Sequence, residues 1–183
     1  MGQLKTFPSA GHHDNDPGAV WKGRIERDEN KKMRDAFMKH AKALGVDLSA
    51  GDKDSETNSQ YQSRIKTGSG SVVVDFHLDA APSNLNRNGT SVFIRNDATA
   101  TTVQAAAELA RDLSAALATV NLGVKYEKDS QHKRIGILHG PGIRVLVEGI
   151  FITNDQDWER WTKNYDAAAL AAAKWAKKWD DKY

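Results

Sequence analysis

The chain has 183 residues, 39% hydrophobic and 27% charged, the balance of a folded domain long enough to bury its own core. Twenty-six Lys and Arg against 24 Asp and Glu leave a net charge of +2, which argues for neither a nucleic-acid nor a membrane partner. With no cysteine, a disulfide framework, a thiolate zinc finger and a thiol nucleophile are excluded, so any metal must be held by His, Asp and Glu.

Short apolar runs alternate with helical stretches. This predicts an α/β fold: a single domain with a twisted, mostly parallel or mixed central sheet flanked by helices on both faces. No stretch is apolar for long enough to span a bilayer, and MGQLKTFPSAGHH lacks the apolar centre of a signal peptide. Leu4 to Phe7 reads as a weak first strand, followed by the turn-rich SAGHHDNDPGA. A helix is expected from Arg27 to Leu44, because Met33, Phe37, Ala41 and Leu44 share one face at spacings of four, four and three. Gly45 ends it.

From Asp47 to Gly70 the chain turns polar and reads as a loop, a short helix around Gln60 to Lys66 and a Gly/Ser turn, a surface excursion near a cleft. SVVVDFHLDAAP then runs as a β-branched strand into a loop. Thr90 to Arg95 is a further strand, and Ala98 to Val120 an Ala-rich helix. Ile143 to Val147 is continuously apolar apart from Arg144, as expected of a strand buried on both faces. The tail from Gln156 to Tyr183 is one or two helices. Its stripe of Trp158, Trp161, Tyr165, Ala168, Ala172, Trp175 and Trp179 is expected to dock on the sheet rather than on a wall or membrane.

Six histidines are present, of which His40 and His132 read as surface residues. His12 and His77 differ, because each closes a short strand, and ligands of open α/β sheets gather outside the carboxyl ends of strands. Glu148 ends a third, buried strand, where a carboxylate is costly unless paired or facing a cleft. Two His and one carboxylate are an attested set for hydrolytic zinc. Glu26 lies at the start of the predicted helix, but spacing alone does not separate it from Asp28 and Glu29.

Four segments resemble the zinc-dependent N-acetylmuramoyl-L-alanine amidases of the MurNAc-LAA type. Gly11-His12-His13-Asp14-Asn15-Asp16-Pro17-Gly18-Ala19 is similar to the family's GHGGxDPGA turn, which implies His12 rather than His13 as a metal ligand. Glu26 followed by Asn30 resembles the ligand Glu and the Asn four residues on. Phe76-His77-Leu78-Asp79-Ala80 resembles IHxNA and implies His77 as the third ligand. The run from Val145 to Asn154 resembles LVEGGFxxN, implying Glu148 as the catalytic carboxylate. His13, Asp14, Asp79 and Ile150 depart from the pattern without touching an inferred ligand.

The resemblance implies one catalytic Zn2+ on His12, Glu26 and His77, with Glu148 as general base and acid. The substrate implied is peptidoglycan, cut between N-acetylmuramic acid and the L-alanine of the stem peptide. Asp75 and Asp79 flank His77 at two residues' distance, so one of them is expected to orient its ring. The amidase core is placed at residues 1–155, with 156–183 packed on the same domain and no separate wall-binding domain. A monomer is expected, with no nucleic acid and no membrane insertion. A phage endolysin made in the cytoplasm and released to the wall is expected; a trimmed form of a secreted amidase is the alternative. Competing readings are a zinc peptidase acting within the stem and a non-catalytic wall-binding module.

Overall fold

A computed structural model describes residues 5–182, so Leu4 of the first expected strand and the terminal Tyr183 lie outside it. The chain runs β1 (Thr6–Ala10), β2 (Val20–Trp21), β3 (Arg24–Ile25), α1 (Glu26–Ala43), α2 (Asn58–Arg64), β4 (Val72–Asp79) and β5 (Thr90–Ile94). It continues as α3 (Ala100–Leu117), β6 (Asn121–Tyr126), β7 (Ile143–Phe151) and α4 (Asp155–Asp180), with two short 3₁₀ turns at Glu127–Asp129 and Gly136–Leu138. Five strands make one mixed sheet in the order β1-β4-β7-β5-β6. β1, β4 and β7 are parallel neighbours, β5 runs antiparallel to β7, and β6 is parallel to β5.

Alternation along the strands sorts side chains onto two unequal faces. Val72, Val74, Phe76, Val92, Ile94, Val145 and Val147 face a thick layer made by α1, α3 and α4. Phe7, Val73, Phe93 and Leu146 point the other way, under Tyr61 of α2 and Ile137 and Leu138 of the second 3₁₀ turn. Helices therefore cover both faces, but three lie on one and only a short one on the other. Beyond that small cluster the second face is left to polar side chains, and the site forms there.

The helices start and stop for local reasons. Met33, Phe37 and Ala41 bury the predicted face of α1, and Gly45 at φ +74° follows its last turn. Thr57 and Gln60 make a capping box on α2, and Thr99 caps α3 by accepting from the Thr102 N–H. The tail is a single helix whose Trp161, Ala168, Ala172, Trp175 and Trp179 are buried. It docks chiefly between α1 and α3 and reaches the sheet as expected through Trp161, whose ring lies against Gly149 of β7. Trp175 Nε1 donates to the Ala105 carbonyl at 2.8 Å, and Trp161 Nε1 donates to Glu29 at 2.6 Å. Among the described residues no helix is long and apolar enough to cross a membrane.

Candidate metal centre

Three segments converge at the carboxyl ends of β1 and β4. The turn after β1 carries His12, the first residue of α1 is Glu26, and β4 carries His77 near its end. Glu26 is almost fully buried and stands between the two imidazoles, its Oε2 3.1 Å from His12 Nε2 and its Oε1 3.1 Å from His77 Nδ1. The rings meet edge-on with centroids 5.2 Å apart, and the three sets of ligand atoms lie within 4.8 Å of one another. Burial raises the cost of the Glu26 charge, but hydrogen bonds from both histidines outweigh it and hold the carboxyl well below its usual range. Burial opposes the histidines' charge too, yet Glu26 holds the His12 pKa above normal, and Asp75 with Glu26 holds that of His77 well above normal.

Each donor is braced from behind. Asp16 Oδ2 lies 2.8 Å from His12 Nδ1, and Asp75 Oδ2 lies 3.1 Å from His77 Nε2. Asp75 is in turn held by the Ser9 hydroxyl, which donates to its other oxygen at 2.6 Å. Asn30, one helical turn past Glu26, donates from Nδ2 to Glu26 Oε1 and to the Gly11 carbonyl. The backbone N–H groups of Ala19 and Leu78 also donate to Glu26, one to each oxygen. His12 has φ +71°, a left-handed conformation rare for a side-chain-bearing residue. Carboxylate-backed imidazoles with their free nitrogens aimed at one carboxylate form a nitrogen–oxygen set suited to a divalent cation such as zinc.

Two glycines make room for this. A methyl group on Gly11 would sit on the His77 ring, and one on Gly18, itself at φ +64°, would reach 2.5 Å from His12 and 2.6 Å from Glu26. The polar excursion expected near a cleft acts as a brace. Asp52 accepts from the Ala10 N–H, the Asp54 carbonyl accepts from the Asp14 N–H, and Arg34 binds both carboxylates at 3.0 and 2.9 Å.

Glu148 is the register partner of His77 across β4 and β7, on the same face. Its Oε2 is buried with no hydrogen-bond partner among the described residues. Burial raises its pKa well above the ordinary carboxylate value, Asp79 and Glu26 add to this, and His77 opposes it. A shielded carboxyl oxygen without a partner beside a three-donor cluster is the further reason the site suits a cation and a water.

The family model described as N-acetylmuramoyl-L-alanine amidase matches residues 9–176. The chain belongs to that family. The amidase family's fold is shared by solved structures of low identity. The N-acetylmuramoyl-L-alanine amidase from Clostridium difficile 630 matches with TM-score 0.71 at 20% identity, covering 98% of this chain and 96% of that one. The catalytic domain of the CD27L endolysin targeting Clostridia difficile matches with TM-score 0.70 at 16% identity, covering 95% and 97%. The catalytic domain of CwlV, an amidase from Bacillus (Paenibacillus) polymyxa var. colistinus, gives TM-score 0.70 at 16%, covering 95% and 96%. No curated protein matches the chain.

Within this amidase-family domain, His12, Glu26 and His77 come together and Glu148 lies beside them. His13 stands outside the cluster, accepting from the Asn15 N–H at 3.4 Å. His40 pairs with Asp166 and His132 is exposed. Of the two aspartates flanking His77, Asp75 holds the ring. Asp79 lies past a shift in register and accepts from the Ala80 N–H instead. The backing roles of Asp16 and Asn30 went unread in the sequence, although both sit in the quoted motifs. Asn154, the last motif residue, caps α4 and donates to the Leu85 carbonyl.

Proposed function

We propose that the chain hydrolyses the amide between N-acetylmuramic acid and L-alanine in peptidoglycan, with one zinc ion held by His12, Glu26 and His77. The observation that carries this is Glu26 clasped between His12 Nε2 and His77 Nδ1, with Asp16 and Asp75 holding the far nitrogens. Zinc supplies Lewis acidity at the scissile carbonyl and acidifies the attacking water. Asp16 and Asp75 keep the imidazoles oriented, and Asn30 with the Ala19 and Leu78 N–H groups keeps Glu26 ionised and in place. Glu148, ionised, takes the proton of the attacking water and returns it to the departing L-alanine amine; burial raises its pKa above the ordinary carboxylate value, which makes it a stronger base and lets it hold the proton until the amine leaves.

Turbidity of purified peptidoglycan, followed with the protein as isolated, after chelation and after zinc is restored, tests the reading. Chelator-sensitive, zinc-rescued clearing that releases L-alanine amino ends is the expected result. Cuts inside the stem would replace the amidase by a peptidase, and an intact wall with metal bound would leave a binding module. The endolysin role extends the proposal, supported by the fold shared with an endolysin catalytic domain. Expression inside bacteria with and without a membrane-permeabilising protein tests it, lysis confined to the permeabilised cells being the expected outcome.

A further inference from the structure

Asp157 is a fully buried carboxylate with no part in the proton transfers above. Its Oδ2 accepts from two backbone N–H groups, that of Gly89 at 2.8 Å and that of Phe151 at 3.1 Å. Its Oδ1 has no hydrogen-bond partner among the described residues, Arg160 Nη1 standing 3.5 Å away. Taking a carboxylate out of water is costly, and capping does not explain it, because Asn154 already caps α4. Thr90, buried as completely, follows Gly89 and donates its hydroxyl proton to the Gly149 carbonyl at 2.7 Å. The Thr119 hydroxyl, 2.6 Å from that of Thr90, is then the donor of their shared bond.

Both attachments fall on the stretch of β7 that follows Glu148. On one side, β4 and β7 stay in step as far as His77 with Glu148 and resume at Asp79 with Phe151. β7 thus carries two residues, Gly149 and Ile150, against Leu78 alone, which is a β-bulge. On the other side, the antiparallel pairing with β5 ends at Ser91 with Glu148. Glu148 is therefore the last residue of β7 paired on both sides. Past it, the Thr90 hydroxyl takes the Gly149 carbonyl and the Asp157 carboxylate takes the Phe151 N–H, in place of a strand neighbour. The other side of the bulge is filled as well, since a methyl group on Gly149 would lie 2.9 Å from the Trp161 ring. A bulge bends its strand and re-aims the side chains beside it.

We propose that Asp157 and Thr90 are positioning residues for Glu148: by closing the bulge at Gly149 and Ile150 they fix the direction in which that carboxylate meets the His12–Glu26–His77 cluster. The proposal rests on the amidase reading above, in which Glu148 carries a proton from water to amine. Among the described residues neither Asp157 nor Thr90 bonds to a metal donor. Each acts through the backbone of β7, on the distance and angle over which the proton moves. A misplacement of about 1 Å in such a group costs about 10²-fold in rate.

The zinc-loaded full chain and a soluble N-acetylmuramoyl-L-alanyl peptide test this. Thr90→Val, which removes the hydroxyl at nearly constant volume, and Asp157→Ala should each lower kcat per bound zinc by about 10–100-fold with KM unchanged. Thr90→Ser and Asp157→Asn, which keep a hydroxyl and a carbonyl acceptor, should recover most of the rate. Added to Glu148→Gln, Thr90→Val should cost nothing further, because no carboxylate is left to aim. Apart from activity, amide hydrogen exchange at Gly149 to Phe151 should quicken in Thr90→Val while Val145 to Val147 keep wild-type protection. A Thr90→Val protein that keeps its rate or its exchange pattern, or whose loss persists in full beside Glu148→Gln, overturns the positioning role and leaves the amidase reading standing. Thr90→Val decides the matter alone if Asp157→Ala does not fold. Failure of the zinc-loaded wild type to release L-alanine amino ends overturns the amidase reading, and the positioning role with it.

Discussion

Asp75 and Glu26 address opposite nitrogens of one ring: Asp75 Oδ2 is 3.1 Å from His77 Nε2, and Glu26 Oε1 is 3.1 Å from His77 Nδ1. These two contacts fix the orientation of the imidazole, and Asp16 does the same for His12. Removing such a backing carboxylate typically weakens a metal site by about 10–100-fold. Asp75→Ala should lower zinc affinity by that factor in a competition titration, with Asp75→Asn losing less. Unchanged affinity would strip Asp75 of the role.

Gly11 lends itself to a test that alters no donor. Its missing side chain is the space occupied by the His77 ring, so Gly11→Ala must push that ring off Glu26. Metal content by elemental analysis should fall sharply while the far-ultraviolet circular dichroism stays that of an α/β domain. A fully loaded Gly11→Ala protein would mean that His77 is not a ligand.

Chelation should destabilise the domain as well as silence it. The donors come from the turn after β1, the start of α1 and the end of β4, so a bound ion ties three segments together. A ligand present at a hundred times its dissociation constant adds about 2.7 kcal/mol. For a chain of this size that is a melting-temperature loss of roughly 5–10 °C on chelation, recovered when zinc returns. Calorimetry in the two states checks it.

Glu148→Gln separates catalysis from folding. The variant should keep its zinc and lose about 10²–10⁴-fold in turnover, the usual worth of a proton-transfer group. In the metal-free protein it should also be more stable than the wild type above pH 7. Because burial raises the folded-state pKa of Glu148 above its ordinary 4.5, the wild type loses stability as pH climbs from that value toward the folded pKa. The advantage of the variant should therefore vanish near pH 4. A pH-independent difference in melting temperature would show that the carboxyl is not held neutral by its surroundings.

Much of this site was legible because its chemistry is written into short motifs. His12 follows β1, Glu26 opens α1 and His77 lies near the end of β4, as expected, but Glu148, expected to end its strand, lies inside β7, which runs on to Phe151; the motifs rather than the element boundaries single these four out. Helix α1 was visible from apolar spacing and α3 from its alanines, β4 from a run of β-branched residues and β7 from a continuous apolar one. β6 was not, since Asn-Leu-Gly-Val-Lys-Tyr is an edge strand, exposed to half-buried throughout, and shows neither alternation nor an apolar run. The β2–β3 pairing, two residues a side, is too short to leave any pattern. The roles of Asp16 and Asn30 are not legible in their motifs, because a residue that props a ligand differs from a surface polar residue only in what it touches.

The tail helix has a practical corollary. α4 leaves β7 beside the site and runs to the opposite edge, where Asp180 accepts from the Asp47 N–H, next to the start of β1. Any module grafted after α4 would hang beneath the sheet, on the far side from the mouth that must admit a glycan strand. The domain is thus arranged so that cargo can be added at its carboxyl end without narrowing the path of a polymeric substrate.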